Sequence, residues 1–340
     1  MVRVLIAGLA AMLISLLAGP RFIAFLRRKE YGQTIREEGP QHHVTKQGTP
    51  IMGGLLVLGA GTAAYLALAR YTVPALTVLF VTLACGAIGF IDDFIKLTHR
   101  RSLGLNARWK LLLLGAITVG VGLAARHQHL PTNVYVPGIG HLELSWAWYG
   151  LLFLVIAGAA NGVNLTDGLD GLAAGTGIIA LFTYSAINVI AWIRSGPPGH
   201  RFETKLDLAL VGAALIGGLI GFLWYNAFPA EVFMGDTGSM AIGGALAAFA
   251  IMTKTIFLLL LIGGIFAIEA LSVILQVFSF RYWGRRIFLM TPIHHHFEMK
   301  AWSETKIMVR FWILAAILCS GAFALYYQYL RGFRPDLFGQ

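Results

Sequence analysis

Five short polar stretches break an otherwise apolar chain: KQGTPIMGG at 46–54, IDDFIK at 91–96, NGVNLTDGLDGLA at 161–173, NAFPAEVFMGDTGS at 226–239 and TPIHHHFE at 291–298. Asp92 and Asp93 are neighbours that diverge by about 100° on a helix, so they would not chelate one ion symmetrically; one can meet a metal while the other meets a substrate proton. The plainer reading pairs Asp92 with Lys96 at i and i+4 on a helix surface. Asn164, Asp167 and Asp170 recur every third residue, along one side of a helical turn, and Gly168 and Gly171 let a ligand approach the backbone. Capping of the helix that begins near Leu172 would use one of those side chains and does not need three. Asp236, with Gly235 before it and Gly238 soon after, suits a magnesium ion that keeps few protein ligands and completes its shell with water and phosphate oxygens. Asp236 or Thr237 could equally cap the helix that follows. Asn226 and Phe233 share that loop, and Phe233 either packs at an interface or offers a flat face to a base.

His294, His295 and His296 are adjacent, a poor spacing for a closed zinc site, whose ligands stand three or four apart or on separate elements. Imidazoles donate hydrogen bonds to phosphate, so anion binding or proton handling fits better than zinc, with a solvated loop as the plain alternative. Lys46 reads either as a headgroup-facing lysine or as a phosphate contact. Gathered in one place, these Asp, Lys, Asn and His side chains suit the joining of two anionic partners, one soluble and one in lipid. Phosphates repel, so a metal ion and basic groups must neutralise their approach before an in-line displacement. Phosphoryl transfer to a lipid is the reaction expected.

The elements that hold these residues must lie in a membrane. Of 340 residues 57% are hydrophobic and 12% charged, and the mean hydropathy is +0.73. Such a composition does not fit inside a soluble core. Net charge is +10 with a pI near 9.8, but no nucleic-acid motif accompanies it, and in a membrane protein basic residues set orientation and meet headgroups. Cys85 and Cys319 both sit in apolar runs, as small core residues do. Ten transmembrane helices are expected, near 2–19, 51–69, 73–91, 109–125, 146–163, 172–193, 207–225, 238–253, 256–279 and 308–330. The first is retained rather than read as a cleaved signal, since one Arg precedes it and RRK follows it. The runs 51–91 and 238–279 are twice a membrane thickness and must fold back, at Arg70 with Pro74 and at Lys254.

Alternate connections hold 17 of the 26 Lys and Arg, against nine for the other side and the termini. The positive-inside rule then puts that set, with all five polar stretches, in the cytoplasm and both termini outside. Eleven of the 16 acidic residues fall on the same side, which topology alone does not require. Residues 126–145, around Pro137 and Gly138, read as a short periplasmic β-hairpin, and 194–206 as a turn. No repeat or linker divides the chain, so 1–340 is expected to be one domain. Glu269 is an acid within a span, a functional position by default in membranes, and a buried hydrogen-bonding role near a bend in the ninth helix is expected for it.

In DD at 92–93, NLTDGLDGLA from 164, MGDTGS from 234 and above all TPIHHHFE from 291, the chain resembles the phospho-N-acetylmuramoyl-pentapeptide-transferases of bacterial cell-wall synthesis. The match runs in the family's order from Lys46 to Glu298. The aspartate motifs are shared with the wider polyprenyl-phosphate N-acetylhexosamine-1-phosphate transferases, while HHHFE resembles the muramoyl-pentapeptide branch. The resemblance implies transfer from UDP-N-acetylmuramoyl-pentapeptide to undecaprenyl phosphate, giving lipid I and UMP, with Mg2+, at the cytoplasmic face of the bacterial inner membrane, and it also implies a homodimer. It implies that Asp236 binds magnesium, and that Asp92 and Asp93 lie at the reaction centre. Asn164, Asp167, Asp170, Phe233, Gly235 and Lys46 would line the uridine and diphosphate region, with Asn226 nearby. His294 would be essential, His295 and His296 would contact the nucleotide-sugar, and Lys96 and Lys110 would contact phosphate. Ile51 stands where the family more often has threonine, which removes a hydroxyl contact there. A related transferase using UDP-N-acetylglucosamine and, in another class, a membrane transporter are the alternatives; a transport path would need polar residues spread through the bilayer.

Overall fold

The computed structural model describes residues 1–29, 48–99, 104–136 and 139–332, the side chains of 329–332 excepted. The chain is mostly helical: α1 Val2–Arg28, α2 Gly54–Leu68, α3 Val73–Thr98, α4 Ala107–His127, α5 Ala147–Thr166, α6 Leu172–Arg194, α7 Glu203–Asn226, α8 Gly235–Met252, α9 Ile256–Ile262, α10 Gly264–Trp283, α11 Ile293–Glu298 and α12 Glu304–Gly332. Two strands, β1 Asn133–Val136 and β2 Gly140–Glu143, pair antiparallel between α4 and α5, with Val134 opposite Leu142. This is the hairpin expected there; Pro137 and Gly138 lie outside the described residues.

Among the described residues nine helices are long and apolar enough to cross a membrane: α1, α3 to α8, α10 and α12. Each of the ten stretches expected to span is helical, but α2 has 15 residues, about 22 Å at the helical rise, against a hydrocarbon layer of about 30 Å. The stretch expected as one ninth helix is broken at Gly263 into α9 and α10. Both halves are apolar, so hydropathy does not register the break. α1 continues through Pro20 to Arg28, since a helix in a membrane bundle tolerates an internal proline better than one in water. α3 also runs seven residues past its expected end, so Asp92 and Asp93 sit inside a helix rather than at its terminus.

α8 is the axis. It is buried almost throughout and packs along α3 and α5, with α2 beside it. Gly89 permits this contact: a methyl group there would overlap the backbone carbonyl of Asp236 on α8. The outer helices carry exposed apolar faces, Leu5, Leu9, Leu13 and Leu17 on α1, and Ile274, Val277 and Phe278 on α10. Faces of that extent suit lipid rather than water.

The two ends of the bundle differ. At one, buried Asp207 on α7 accepts from the hydroxyl of Tyr65 at 3.3 Å, the backbone N–H groups of Arg70 and Thr72 at 2.9 Å each, and the hydroxyl of Thr72 at 2.9 Å, tying down the α2–α3 turn. Lys254, just beyond α8, donates to the carbonyl oxygen of Asn133 at 2.6 Å and to that of Pro131, so the hairpin is fastened at the far end of α8 from Asp236. Eighteen helical residues separate those points by about 27 Å, close to the hydrocarbon thickness.

Candidate active site

The other end gathers the polar stretches. α3 delivers Asp92 and Lys96 on successive turns, and α4 begins at Asn106, whose side chain caps it by accepting from Arg108 N–H at 3.1 Å. That start places Lys110 in the first turn, facing α3. Asp92, 1% exposed, pairs with the ammonium of Lys96 at 2.6 Å and of Lys110 at 2.9 Å, and accepts Leu105 N–H at 2.6 Å. The same two ammonium groups reach Asp236, Lys96 at 3.1 Å and Lys110 at 3.0 Å. The i, i+4 pair of Asp92 and Lys96 is therefore part of a four-residue network in which Asp92 is buried and the other three are half-buried, not an isolated surface pair.

Asp93 faces α8. Its Oδ1 accepts Asp236 N–H at 3.1 Å, and its Oδ2 accepts both the N–H and the hydroxyl of Thr237, at 2.9 and 2.7 Å. The capping that α8 needs at its first turn thus comes from another helix, and no side chain of its own caps it. Asp236 is left with its carboxylate on the two lysines, and Asn164 also hydrogen-bonds to it. Asn164 Nδ2 donates to Ser239 Oγ at 3.0 Å, joining α5 to α8.

The TDGLDG turn closes the site from α5 and α6. Asp167 accepts Gly235 N–H; burial, then the neighbouring carboxylates of Asp236 and Asp93, hold its pKa well above the usual carboxylate range against that hydrogen bond. Asp170 accepts Ala230 N–H at 3.0 Å. Asn226 accepts Gly171 N–H at 3.0 Å and donates to the carbonyl oxygen of Val232 at 2.9 Å. Neither Asn164 nor Asp167 caps α6, whose cap residue is Gly171. Asp170 and Asn226 fasten the turn to the 226–239 loop. That loop is fastened in turn to residues 50–54, with Phe233 N–H donating to Pro50 and Gly53 N–H to Phe233, both at 2.8 Å. Phe233 is half-buried beside Gly235; Lys46 lies outside the described residues.

α11 supplies the histidines. His294 is fully buried, with Nδ1 3.1 Å from Glu269 Oε1 on α10. Its Nε2 edge lies against Gly168, where any side chain would collide with the ring. His295 pairs with Glu298 one turn on. His296 Nδ1 accepts Leu289 N–H at 3.1 Å, and burial with nearby Lys300 holds this imidazole below its ordinary pKa, consistent with a neutral acceptor ring.

Carboxylates, lysines and a buried histidine from four of the stretches and from Lys110, with the backbone of residues 50–54 from the fifth, are therefore gathered at one end of an apolar bundle. The profile of glycosyl transferase family 4 matches residues 75–254, from α3 to the end of α8. A relative from Rubrobacter xylanophilus is 46% identical over 338 residues, covering 97% of this chain and 99% of its own. Relatives from Desulfitobacterium hafniense, 46% identical, and Halalkalibacterium halodurans, 44%, each cover 93% of this chain and 95% of their own. All three carry the name phospho-N-acetylmuramoyl-pentapeptide-transferase. The chain belongs to that family.

In this transferase the carboxylates of Asp92, Asp93 and Asp236 each place an oxygen within 4.8 Å of the others. An all-oxygen set of this kind fits a hard divalent cation such as magnesium. Asp93 gives both oxygens to the backbone and hydroxyl donors that start α8, whereas those of Asp236 and Asp92 face lysine ammonium groups that a cation and its phosphates would displace, which makes these two the better donors. His294, His295 and Glu298 also bring donor atoms within 4.8 Å, but these atoms face Glu269 and each other. Thr237, legible in the sequence only as a possible cap, and Ser239, not singled out in it, stand in the MGDTGS stretch beside Asp236 and hold Asp93 and Asn164 in place. Their signal was position alone, one and three residues past a candidate ligand.

Proposed function

We propose that this transferase moves phospho-N-acetylmuramoyl-pentapeptide from its UDP conjugate to undecaprenyl phosphate, releasing UMP and forming lipid I for peptidoglycan synthesis. The observation that carries the reading is the pair of lysines, Lys96 and Lys110, each bridging Asp92 and Asp236 at one end of a lipid-facing bundle. Two ammonium groups at fixed separation are what a diphosphate and a lipid phosphate need in order to approach one another. TPIHHHFE, which resembles the muramoyl-pentapeptide branch, favours this reaction over transfer of N-acetylglucosamine phosphate.

Asp236, with Asp92 beside it, would hold the magnesium ion. When bound, that ion neutralises charge on the diphosphate and orients it. Lys96 and Lys110 bind the phosphates, the backbone around Gly235 and Phe233 with the turn bearing Asp167 and Asp170 borders the nucleotide, and the histidines meet the sugar phosphate. The attacking phosphate oxygen is already ionised near neutral pH, so no strong base is required. Asp92, held by two ammonium groups and one N–H, orients the lysines rather than taking a proton. Asp93, with three donors on its two oxygens, is poorly placed as a nucleophile. Direct attack of the lipid phosphate on the β-phosphorus, with UMP leaving, is the route these contacts favour over a covalent aspartyl intermediate.

The same reading makes the chain one catalytic domain of ten spans, with α2 as a short one and α9 with α10 as one broken one. Both termini and the hairpin lie outside, and the site faces the cytoplasm. Incubating purified protein with magnesium, undecaprenyl phosphate and either UDP-N-acetylmuramoyl-pentapeptide or UDP-N-acetylglucosamine tests it. UMP is expected from the first donor alone; release only from the second, or from neither, overturns the assignment.

A further inference from the structure

Glu269 lies within α10, fully buried, outside the lysine and aspartate network. A carboxylate inside a lipid-embedded helix is costly unless a partner compensates it. Its ion-pair partner among the described residues is His294, with Nδ1 3.1 Å from Oε1 and neither side chain exposed. Among the described residues neither carboxylate oxygen of Glu269 and neither ring nitrogen of His294 completes a hydrogen bond. The two residues belong to different helices, and the break at Gly263 fixes where α10 starts.

The far edge of the ring matters as much. Nε2 of His294 is buried, has no hydrogen-bond partner among the described residues, and lies against Gly168. Gly168 follows Asp167, which accepts the N–H of Gly235, the residue before Asp236. One nitrogen of His294 therefore faces an acid with no other assigned use, and the other faces the turn that borders the phosphate-binding network. The neighbouring histidines are differently engaged: His295 with Glu298, and His296 with the N–H of Leu289.

We propose that Glu269 is a positioning residue. With a small turn of the ring from the 3.1 Å contact, its carboxylate accepts the Nδ1–H of His294, which fixes the ring orientation and the tautomer and sets Nε2, as an acceptor, against the Gly168 turn that borders the nucleotide. A second group that orients a histidine through its other nitrogen acts on the reaction without touching the substrate. The kinetic consequence rests on the proposed function; the tautomer does not.

The test uses the full-length protein in detergent or nanodiscs. With 15N-labelled histidine, the His294 Nδ1 is expected to carry a proton in the wild type and to lose that signature in Glu269→Leu. Glu269→Leu is expected to lower kcat about 10- to 100-fold, with KM for the UDP conjugate within about threefold of wild type. Glu269→Gln, which keeps an acceptor of the same shape, is expected to retain more activity than the leucine variant. In a His294→Ala background, Glu269→Leu should cost nothing further. An unprotonated Nδ1 in the wild type overturns the proposal even if no variant folds. So does wild-type kcat in a folded Glu269→Leu protein, or an undiminished penalty when His294 is absent. Should the wild type release no UMP, the proposed function falls while the spectrum still decides this pairing.

Discussion

Asp93 on α3 and Thr237 on α8 share one carboxylate oxygen twice over: Oδ2 accepts both the N–H and the hydroxyl of Thr237, at 2.9 and 2.7 Å. With Oδ1 on the N–H of Asp236, Asp93 satisfies the first donors of α8 and complements the positive end of its dipole. The position of Asp236 is thereby set by a residue on another helix, and the adjacent aspartates take separate duties.

Asp93→Asn should therefore lose stability as well as turnover. An amide offers one acceptor oxygen in place of two and turns a donor toward donors, at a cost of about 1.5–3 kcal/mol for each charged hydrogen bond lost. Asp236→Asn should stop UMP release with a smaller fall in melting temperature. Thermal unfolding in detergent, run beside the activity assay, separates the two; an Asp93→Asn protein as stable as wild type contradicts the capping role.

Lys110→Met should lower kcat by about 10²- to 10³-fold, the range seen when one preorganised donor to developing charge is removed. Lys110→Arg should recover only part, since a planar guanidinium does not replace a compact ammonium between two carboxylates. As a control, Arg201→Gln changes a side chain that stacks on Trp192 between α6 and α7 and should leave turnover unchanged. Near-normal kcat in Lys110→Met would remove this lysine from the site.

Gly168→Ala should act through His294. The added methyl overlaps the Nε2 edge of the ring, and a displacement of about 1 Å in a reacting group can cost 10²-fold in rate. Folding and nucleotide affinity should persist, measured by melting temperature and by calorimetry with the UDP conjugate. An alanine variant with full kcat would show that the ring contributes nothing there.

Lys254 gives a pH-dependent handle on the opposite end. Burial pushes its pKa from 10.5 down to about 8, with Glu143 pulling the other way. Below that value it is mostly ammonium and unreactive toward acylating reagents; above it the free amine dominates. Labelling should rise through about pH 8, earlier than at solvated lysines. A membrane-impermeant reagent applied to intact cells should reach it if the hairpin lies outside. Mass spectrometry that finds Lys254 labelled only in inverted vesicles would reverse the orientation.

Most of the helices were legible because lipid demands long apolar runs, and Arg70 and Lys254 marked the returns. The break at Gly263 was not, because leucine and isoleucine continue on both sides of it. α3 reads as ending near 91 when charged residues are taken as solvent-facing; in the protein they point into the bundle and the helix carries on. At the site, residue types were legible but partners were not. Helix geometry gave Asp92 and Asp93 different directions without saying which does what, and only the approach of α8, with Gly89 at the crossing, assigns Asp93 its task. Glu269 and His294 each stood out alone, and their meeting depends on how α10 and α11 pack. Asp207, tied to Tyr65, Arg70 and Thr72, drew no attention at all, since one acid near a helix start carries no pattern.

The crossed pairing of Lys96 and Lys110 with Asp92 and Asp236 has a bearing on how the first substrate enters. These charges are balanced within the protein before anything binds, so an arriving diphosphate exchanges places with a carboxylate instead of scattering a cloud of loosely held counterions. Entry of that kind should feel the ionic strength of the surrounding solution only weakly, unlike capture by an open basic groove.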